Sequence, residues 1–140
     1  MSLKTLDPSK GKCLVGGIPL SGFSDNIIEI EYDEETYTLD TGADGESTRI
    51  LNKNQNGKVT IYLKQSSTSN DVLNALATKD RLDGSGVVPF LFTDLSGRTV
   101  AAAAQAYITK PPKYGFGKEI KEHAWVLQLI NLKLSIGGNS

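Results

Sequence analysis

Apolar side chains recur at every second position along most of the chain, and Gly, Pro, Asn and Asp interrupt them at short intervals, the pattern of strands joined by turns. Residues 12–15 pass through Gly16 and Gly17 to Ile18, Pro19 and Leu20, which predicts a hairpin with a Gly-Gly turn. Ile28, Ile30 and Tyr32 then alternate with Glu29, Glu31 and Asp33, so one face of a strand is buried and the other wet, with Glu35 joining the wet face if the strand continues. Tyr37 and Leu39 extend the pattern to a polar loop over residues 40–47, residues 49–51 return from it, and residues 52–57 turn again. Val59, Ile61 and Leu63 alternate with Thr60, Tyr62 and Lys64 in the cleanest strand of the chain.

One helix interrupts the strands. Ser69, Asn70 and Asp71 are candidate N-caps, Val72, Leu73, Leu76 and Ala77 form an apolar stripe at helical spacing, and residues 83–86 end it. Residues 87–93 predict a strand with an edge or bulge at Pro89, and residues 94–97 turn it into a long strand over 98–110. The small side chains of residues 101–104 would admit a closely packed backbone or sheet. A Pro/Gly loop covers 111–118 and a last strand 125–136. In that strand Trp125, Leu127 and Leu129 share one face, while Val126, Ile130, Leu132, Leu134 and Ile136 share the other. Both faces are therefore apolar, and the second calls for cover from the helix or from another subunit. The elements predict a mainly β fold, a β-sandwich with one flanking α-helix.

Composition removes function classes without selecting one. A chain of 140 residues with 39% hydrophobic residues suits one domain and one core. A formal net charge of -1 argues against both disorder and a basic nucleic-acid-binding surface. No apolar run approaches the ~20 residues that span a bilayer, and the first residues lack the apolar core of a signal peptide, so a soluble, unsecreted protein without membrane insertion is expected. Cys13 alone permits no internal disulfide, and His123 alone permits neither a zinc cluster nor a two-histidine metal site. The charge is unevenly spread: residues 25–48 hold nine acids and no Lys or Arg, whereas residues 50–140 hold 11 basic and 6 acidic residues.

The strongest chemical motif is Asp40, Thr41, Gly42, Ala43, the local signature of retropepsin-like aspartic proteases, in which paired carboxylates share a proton to activate water. Here it continues with the polar Gly45, Glu46, Ser47 and Thr48 where those enzymes pack apolar residues. Ser96, Gly97, Arg98 is the sole candidate for the second element, so a turn is the better reading. As a calcium loop starting at Asp40, the segment has Gly42 third and Leu51 twelfth, where oxygen ligands are needed. No phosphate-binding glycine loop is present, His123 reads as an edge or surface residue, Cys13 as a small buried hydrophobe and Trp125 as core or interface. No enzyme activity, catalytic residue, cofactor or metal is expected.

Several pieces recur together in a known order: Leu3, Lys4, Thr5, Asp7, Pro8; Gly16 to Phe23; Gly42, Ala43, Asp44, Gly45, Glu46, Thr48, Arg49; and Ser69 to Leu73. They continue with Asp94, Leu95, Ser96, Gly97; Lys110, Pro111, Pro112; Phe116 to Glu119; Trp125; and Gly137, Gly138. In these pieces the chain resembles the tail tube proteins of long-tailed, contractile-tailed bacteriophages. The resemblance implies one ring-forming domain over residues 1–140 with a short N-terminal arm, about residues 1–10, and rings of six subunits stacked into a hollow conduit for DNA ejection. It implies a homo-oligomer in the virion tail, assembled in the bacterial cytoplasm, with sheath and baseplate or tail-terminator partners and double-stranded DNA in transit. Under it, Asp40, Thr41, Gly42, Ala43, Asp44, Gly45 and Glu46 become candidate contacts between subunits or rings. A basic lumen would hold DNA by its phosphates, so Glu29, Glu31 and Asp33 are candidate lumen residues. The alternatives are a tube subunit of a related contractile secretion or bacteriocin apparatus, a ligand-binding β-sandwich, and the protease.

Overall fold

The computed structural model describes residues 11–94, 99–117 and 122–137. The expected N-terminal arm, Leu95, Ser96 and Gly97 of the turn, Lys118 and Glu119 of the loop, and Gly138 lie outside the described residues. Strands β1 (Gly11–Val15) and β2 (Ile18–Pro19) form the first hairpin. Gly16 and Gly17 have φ of 61° and 79°, the left-handed pair that a tight hairpin turn demands. Strand β3 (Phe23–Tyr32) leads into a separate hairpin of β4 (Tyr37–Thr41) and β5 (Ser47–Leu51), and β6 (Gly57–Lys64) returns to the main sheet. Helix α1 (Ser69–Asp83) precedes β7 (Val88–Asp94), β8 (Val100–Lys110), β9 (Glu122–Ile130) and β10 (Lys133–Ser135).

The fold is mainly β with one helix, as expected. Its main sheet has eight strands hydrogen-bonded in the order β2-β1-β7-β8-β9-β6-β3, with β10 also on β8. Because the path is continuous, the core is enclosed by curling one sheet over its own apolar face. Val59, Ile61 and Leu63 of β6 and Leu127 and Leu129 of β9 are fully buried, each contributing about 1.5–3 kcal/mol by leaving water. Gly57 admits no side chain: a Cβ there would lie 2.5 Å from Leu132 and 2.6 Å from the Glu31 carbonyl oxygen.

The last strand departs from the simple period-2 reading. It breaks at Asn131, whose φ of 52° is left-handed, yet the pairing with β8 keeps step across the break, Gln105 facing Ile130 and Ala102 facing Lys133. Both strands switch the side that faces inward at this point. Before the break Leu127 and Leu129 are buried opposite Ile108 and Ala106; beyond it Leu132 is buried and Leu134 packs on the core opposite the buried Ala101. Much of the apparent second apolar face therefore belongs to the chain's own core. The small side chains have an internal reason as well: Ala101 and Ala103 lie inward, opposite Phe92 and Phe90.

Helix α1 starts at Ser69, with Thr68 as an N-cap lacking a side-chain cap bond. The polar residues expected to cap it bond to other elements. Ser69 Oγ accepts from the Ser21 N–H, and Asn70 donates to the Lys64 and Ser67 carbonyls and accepts from Trp125 Nε1. Gly84, at φ 73°, ends the helix. Pro89 sits at the expected bulge, where the β7–β8 register shifts between Val88 and Phe90.

Asn131→Gly should leave stability within about 0.5 kcal/mol of the parent, whereas Asn131→Val, β-branched at a left-handed position, should cost about 1–2 kcal/mol. Urea denaturation of both variants measures the difference.

Candidate functional site: an acidic sheet face, a free hairpin and an aromatic cleft

The wet side of β3, β6 and β9 is an open polar face. Glu31 stands beside Lys58, then Gln128 and Tyr107, on one rung; Glu29 stands beside Thr60 and Val126 on another. The sequence-predicted acids are therefore brought together, but not alone. Asp33 lies just past the end of β3, accepts from Gln128 Nε2 at 2.7 Å and stands 4.0 Å from Lys58 Nζ. Glu35 is off the strand, which stops at Tyr32. Burial first, and then the Glu29 carboxylate with its hydrogen bond and Glu122, push the Tyr62 phenol above its ordinary pKa. On this face Glu29, Glu31, Asp33 and Glu122 are set against Lys58, Lys64 and Lys110, a nearly balanced surface. The sequence missed that balance because the lysines come from distant segments.

The β4–β5 hairpin carries the residues of the protease-like motif. Asp40 and Thr41 end β4, opposite Thr48 and Ser47, and residues 42–46 make the turn. Gly45 has φ 88°, Gly42 donates to the Glu46 carbonyl, and Asp44 Oδ1 accepts from the Glu46 N–H. Asp40 is solvent-exposed, whereas a shared-proton pair needs two carboxylates held against each other. Among the described residues no group of His, Cys, Asp and Glu is arranged to hold a metal.

Every residue of the hairpin is exposed. One face presents Tyr37, Leu39, Arg49 and Leu51, with the Arg49 guanidinium 3.9 Å from the Tyr37 ring centre. Leu39 is 72% exposed. A two-stranded hairpin is marginal in water on its own, and among the described residues no other element packs a layer on either face of this one.

A third feature was not legible in the sequence. Asn70, Asn74, Pro111, Pro112, Tyr114 and His123 help line a cleft of about 350 Å³ with Trp125 at its wall. The Tyr114 and His123 rings stack with centroids 6.3 Å apart, and His123 Nδ1 is buried without a hydrogen-bond partner. Trp125 is buried, as expected of a core residue. The remaining candidate, Cys13, is inert: burial pushes its thiol from 9.0 up to about 12.

The comparisons agree with this architecture. Residues 11–137 match the model of the bacteriophage PhiTE tail tube protein family, and the chain belongs to that family. It is 37% identical over 123 residues to "Structural protein ORF10" of Pseudomonas phage KPP10, covering 86% of this chain and 71% of that protein. Its fold is similar to the sheath/tube terminator of the extracellular contractile injection system PVC, with TM-score 0.65 and 12% identity over 97% of this chain and all of that one. It is also similar to the tube-terminating cap of the anti-feeding prophage, with TM-score 0.62 and 11% identity over 98% and 95% of the two chains. A PVC sheath–tube complex chain follows, with TM-score 0.58 and 14% identity over 94% and 93%. The family is one of structural phage tail proteins.

The raised thiol pKa has a definite sign. Cys13 supports the fold fully below about pH 9 and progressively less as pH rises toward 12, because thiolate forms first in the unfolded chain. At about pH 8, iodoacetamide should leave Cys13 of the native protein unmodified while alkylating the urea-unfolded chain, as read by mass spectrometry. Fast labelling of the native protein would contradict the burial.

Proposed function

We propose that the chain is the repeating subunit of an inner tail tube: copies close into rings, six to a ring as the family resemblance implies, and the rings stack into the conduit through which DNA leaves. The free apolar hairpin carries this reading, since Leu39, Leu51 and Tyr37 stand in water until another molecule covers them. Asp40, Thr41, Gly42, Ala43, Asp44, Gly45 and Glu46 at its tip are contacts between subunits or rings. The outer strands of the sheet path, β2 and β3, offer edges to neighbouring copies, whose pairing would remove the exposed backbone groups.

The polar face of β3, β6 and β9 lines the channel, with Glu29, Glu31 and Asp33 as its acidic part. Interleaved Lys58 and Lys64 keep that lining close to neutral. Such a surface stays wet and gains little by releasing counterions from DNA, so the duplex slides without being held. The outside of the tube meets a sheath, its ends meet baseplate and terminator proteins, and assembly takes place in the bacterial cytoplasm.

Negative-stain microscopy of the purified protein should show rings or tubes. Replacing residues 42–46 by a two-residue turn should abolish polymers while leaving the circular dichroism spectrum and unfolding midpoint of the monomer nearly unchanged. Parent protein that stays monomeric at high concentration contradicts the proposal. A map of the tube with Glu29, Glu31 and Asp33 all on its outer surface contradicts the lining.

A further inference from the structure

The pair Asn56 and Gly57 stands where β6 begins, and the fold demands both residues. Asn56 Oδ1 accepts from the Asn131 N–H at 3.0 Å, which ties the left-handed break after β9 to the turn before β6. Gly57 is buried between Leu132 and the Glu31 carbonyl, where a Cβ would have no room. The same pair is chemically labile. When glycine follows asparagine, no side chain hinders the next backbone nitrogen from attacking the side-chain amide. Of the chain's asparagines only Asn56 is followed by glycine. Asp44 and Asp83 also precede glycines, but they present a carboxylate, a far poorer electrophile than an amide.

The folded chain holds this reaction off from both sides. Asn56 donates its N–H to Asn54 Oδ1 at 3.0 Å, and its carbonyl accepts from the Asp33 N–H at 2.9 Å. Because successive residues of a strand direct their backbone bonds to alternate sides, the Gly57 N–H then points to β9, where Gly57 stands opposite Leu129. The nucleophile of the reaction is therefore buried and committed to the ladder, while the electrophile is anchored on Asn131. The Leu132 N–H donates to the Gln55 carbonyl at 2.8 Å and Gln128 Nε2 to the Gly57 carbonyl at 2.9 Å, which fastens the segment further.

We propose that Asn56 is a deamidation site gated by the fold, closed while β6 is paired with β3 and β9 and open when the start of β6 lifts away. In the open chain the Gly57 nitrogen loses its proton and bonds to Asn56 Cγ, the Cγ–Nδ2 bond breaks, and ammonia leaves behind a cyclic succinimide. Water then opens the ring. Addition at Cγ gives aspartate; addition at the backbone carbonyl gives isoaspartate, whose backbone runs through Cβ and Cγ. The net exchange is amide and water for carboxylate and ammonium, with no other reactant. Aspartate keeps an oxygen for the Asn131 N–H. Isoaspartate adds a backbone methylene between the Asn131-bound anchor and Gly57, where Leu132 and Glu31 leave no space. That pulls β6 out of register with both neighbours, so a reversible opening becomes permanent loss of the folded chain.

Parent protein is incubated at mildly alkaline pH in native buffer and in unfolding guanidinium chloride. Peptide mass spectrometry follows Asn56, and isoaspartyl methyltransferase labelling counts isoaspartate. Deamidation should be at least ~10-fold slower in the native protein, because it waits on opening of the strand; a smaller difference overturns the gating. After the denaturant is removed, isoaspartyl chains should be depleted from the refolded fraction isolated by size exclusion. Their presence there in the proportion of the starting mixture overturns the permanent loss. Asn56→Asp supplies the charge without the added methylene and should refold with the parent's circular dichroism spectrum. Failure of that variant to fold would assign the loss to charge and overturn the register argument, while the rate comparison on the parent still decides the gating.

Discussion

The antiparallel ladder between β6 and β9 is the constraint on which the rest of this structure depends. It runs from Gly57 opposite Leu129 to Lys64 opposite Glu122, and its inward side is filled by Val59, Ile61, Leu63, Trp125, Leu127 and Leu129. Burial of these side chains holds the sheet in its curl. The same pairing also fixes what stands at either end: the hairpin is rooted beyond Gly57, and the helix start and aromatic loop lie beyond Lys64. Shifting this register by one residue would turn the inward set to solvent and reverse the polar face together.

A subunit of a repeating tube has to offer two surfaces that fit each other and not themselves. In this fold the exposed β4–β5 hairpin and the aromatic cleft stand apart by the length of β6. The nine acids of residues 25–48 lie on β3, in the connection that follows it and on the hairpin, while the basic excess belongs to the later segments. The polar sheet face lies between the ends, where interleaved Glu and Lys give a hydrated surface with little net charge.

Much of the fold was legible because its strands have one wet side. The alternation at Val59, Ile61 and Leu63 located β6, and Gly16–Gly17 located the first turn. The last strand misled, because alternation assumes a strand keeps its faces, and the left-handed Asn131 reverses them halfway. Ser69 and Asn70 looked like caps but are spent on Ser21 and Trp125, partners that only the folded chain brings near. Of the candidate site, the acids and the tip were legible as a charge cluster and a turn. The lysines opposite them and the cleft were not, because Asn70, Tyr114 and His123 meet only through the sheet.

A cryo-electron microscopy reconstruction of the assembled protein is the most direct measurement of the central claim, that the chain is a tube subunit whose exposed hairpin is covered by neighbouring copies and whose polar sheet face lines the bore. The account predicts continuous density for each β4–β5 hairpin against a neighbouring copy, with the polar face of β3, β6 and β9 toward the bore. A tube in which the hairpins project freely, or one with Glu29, Glu31 and Asp33 all on its outer surface, would contradict it.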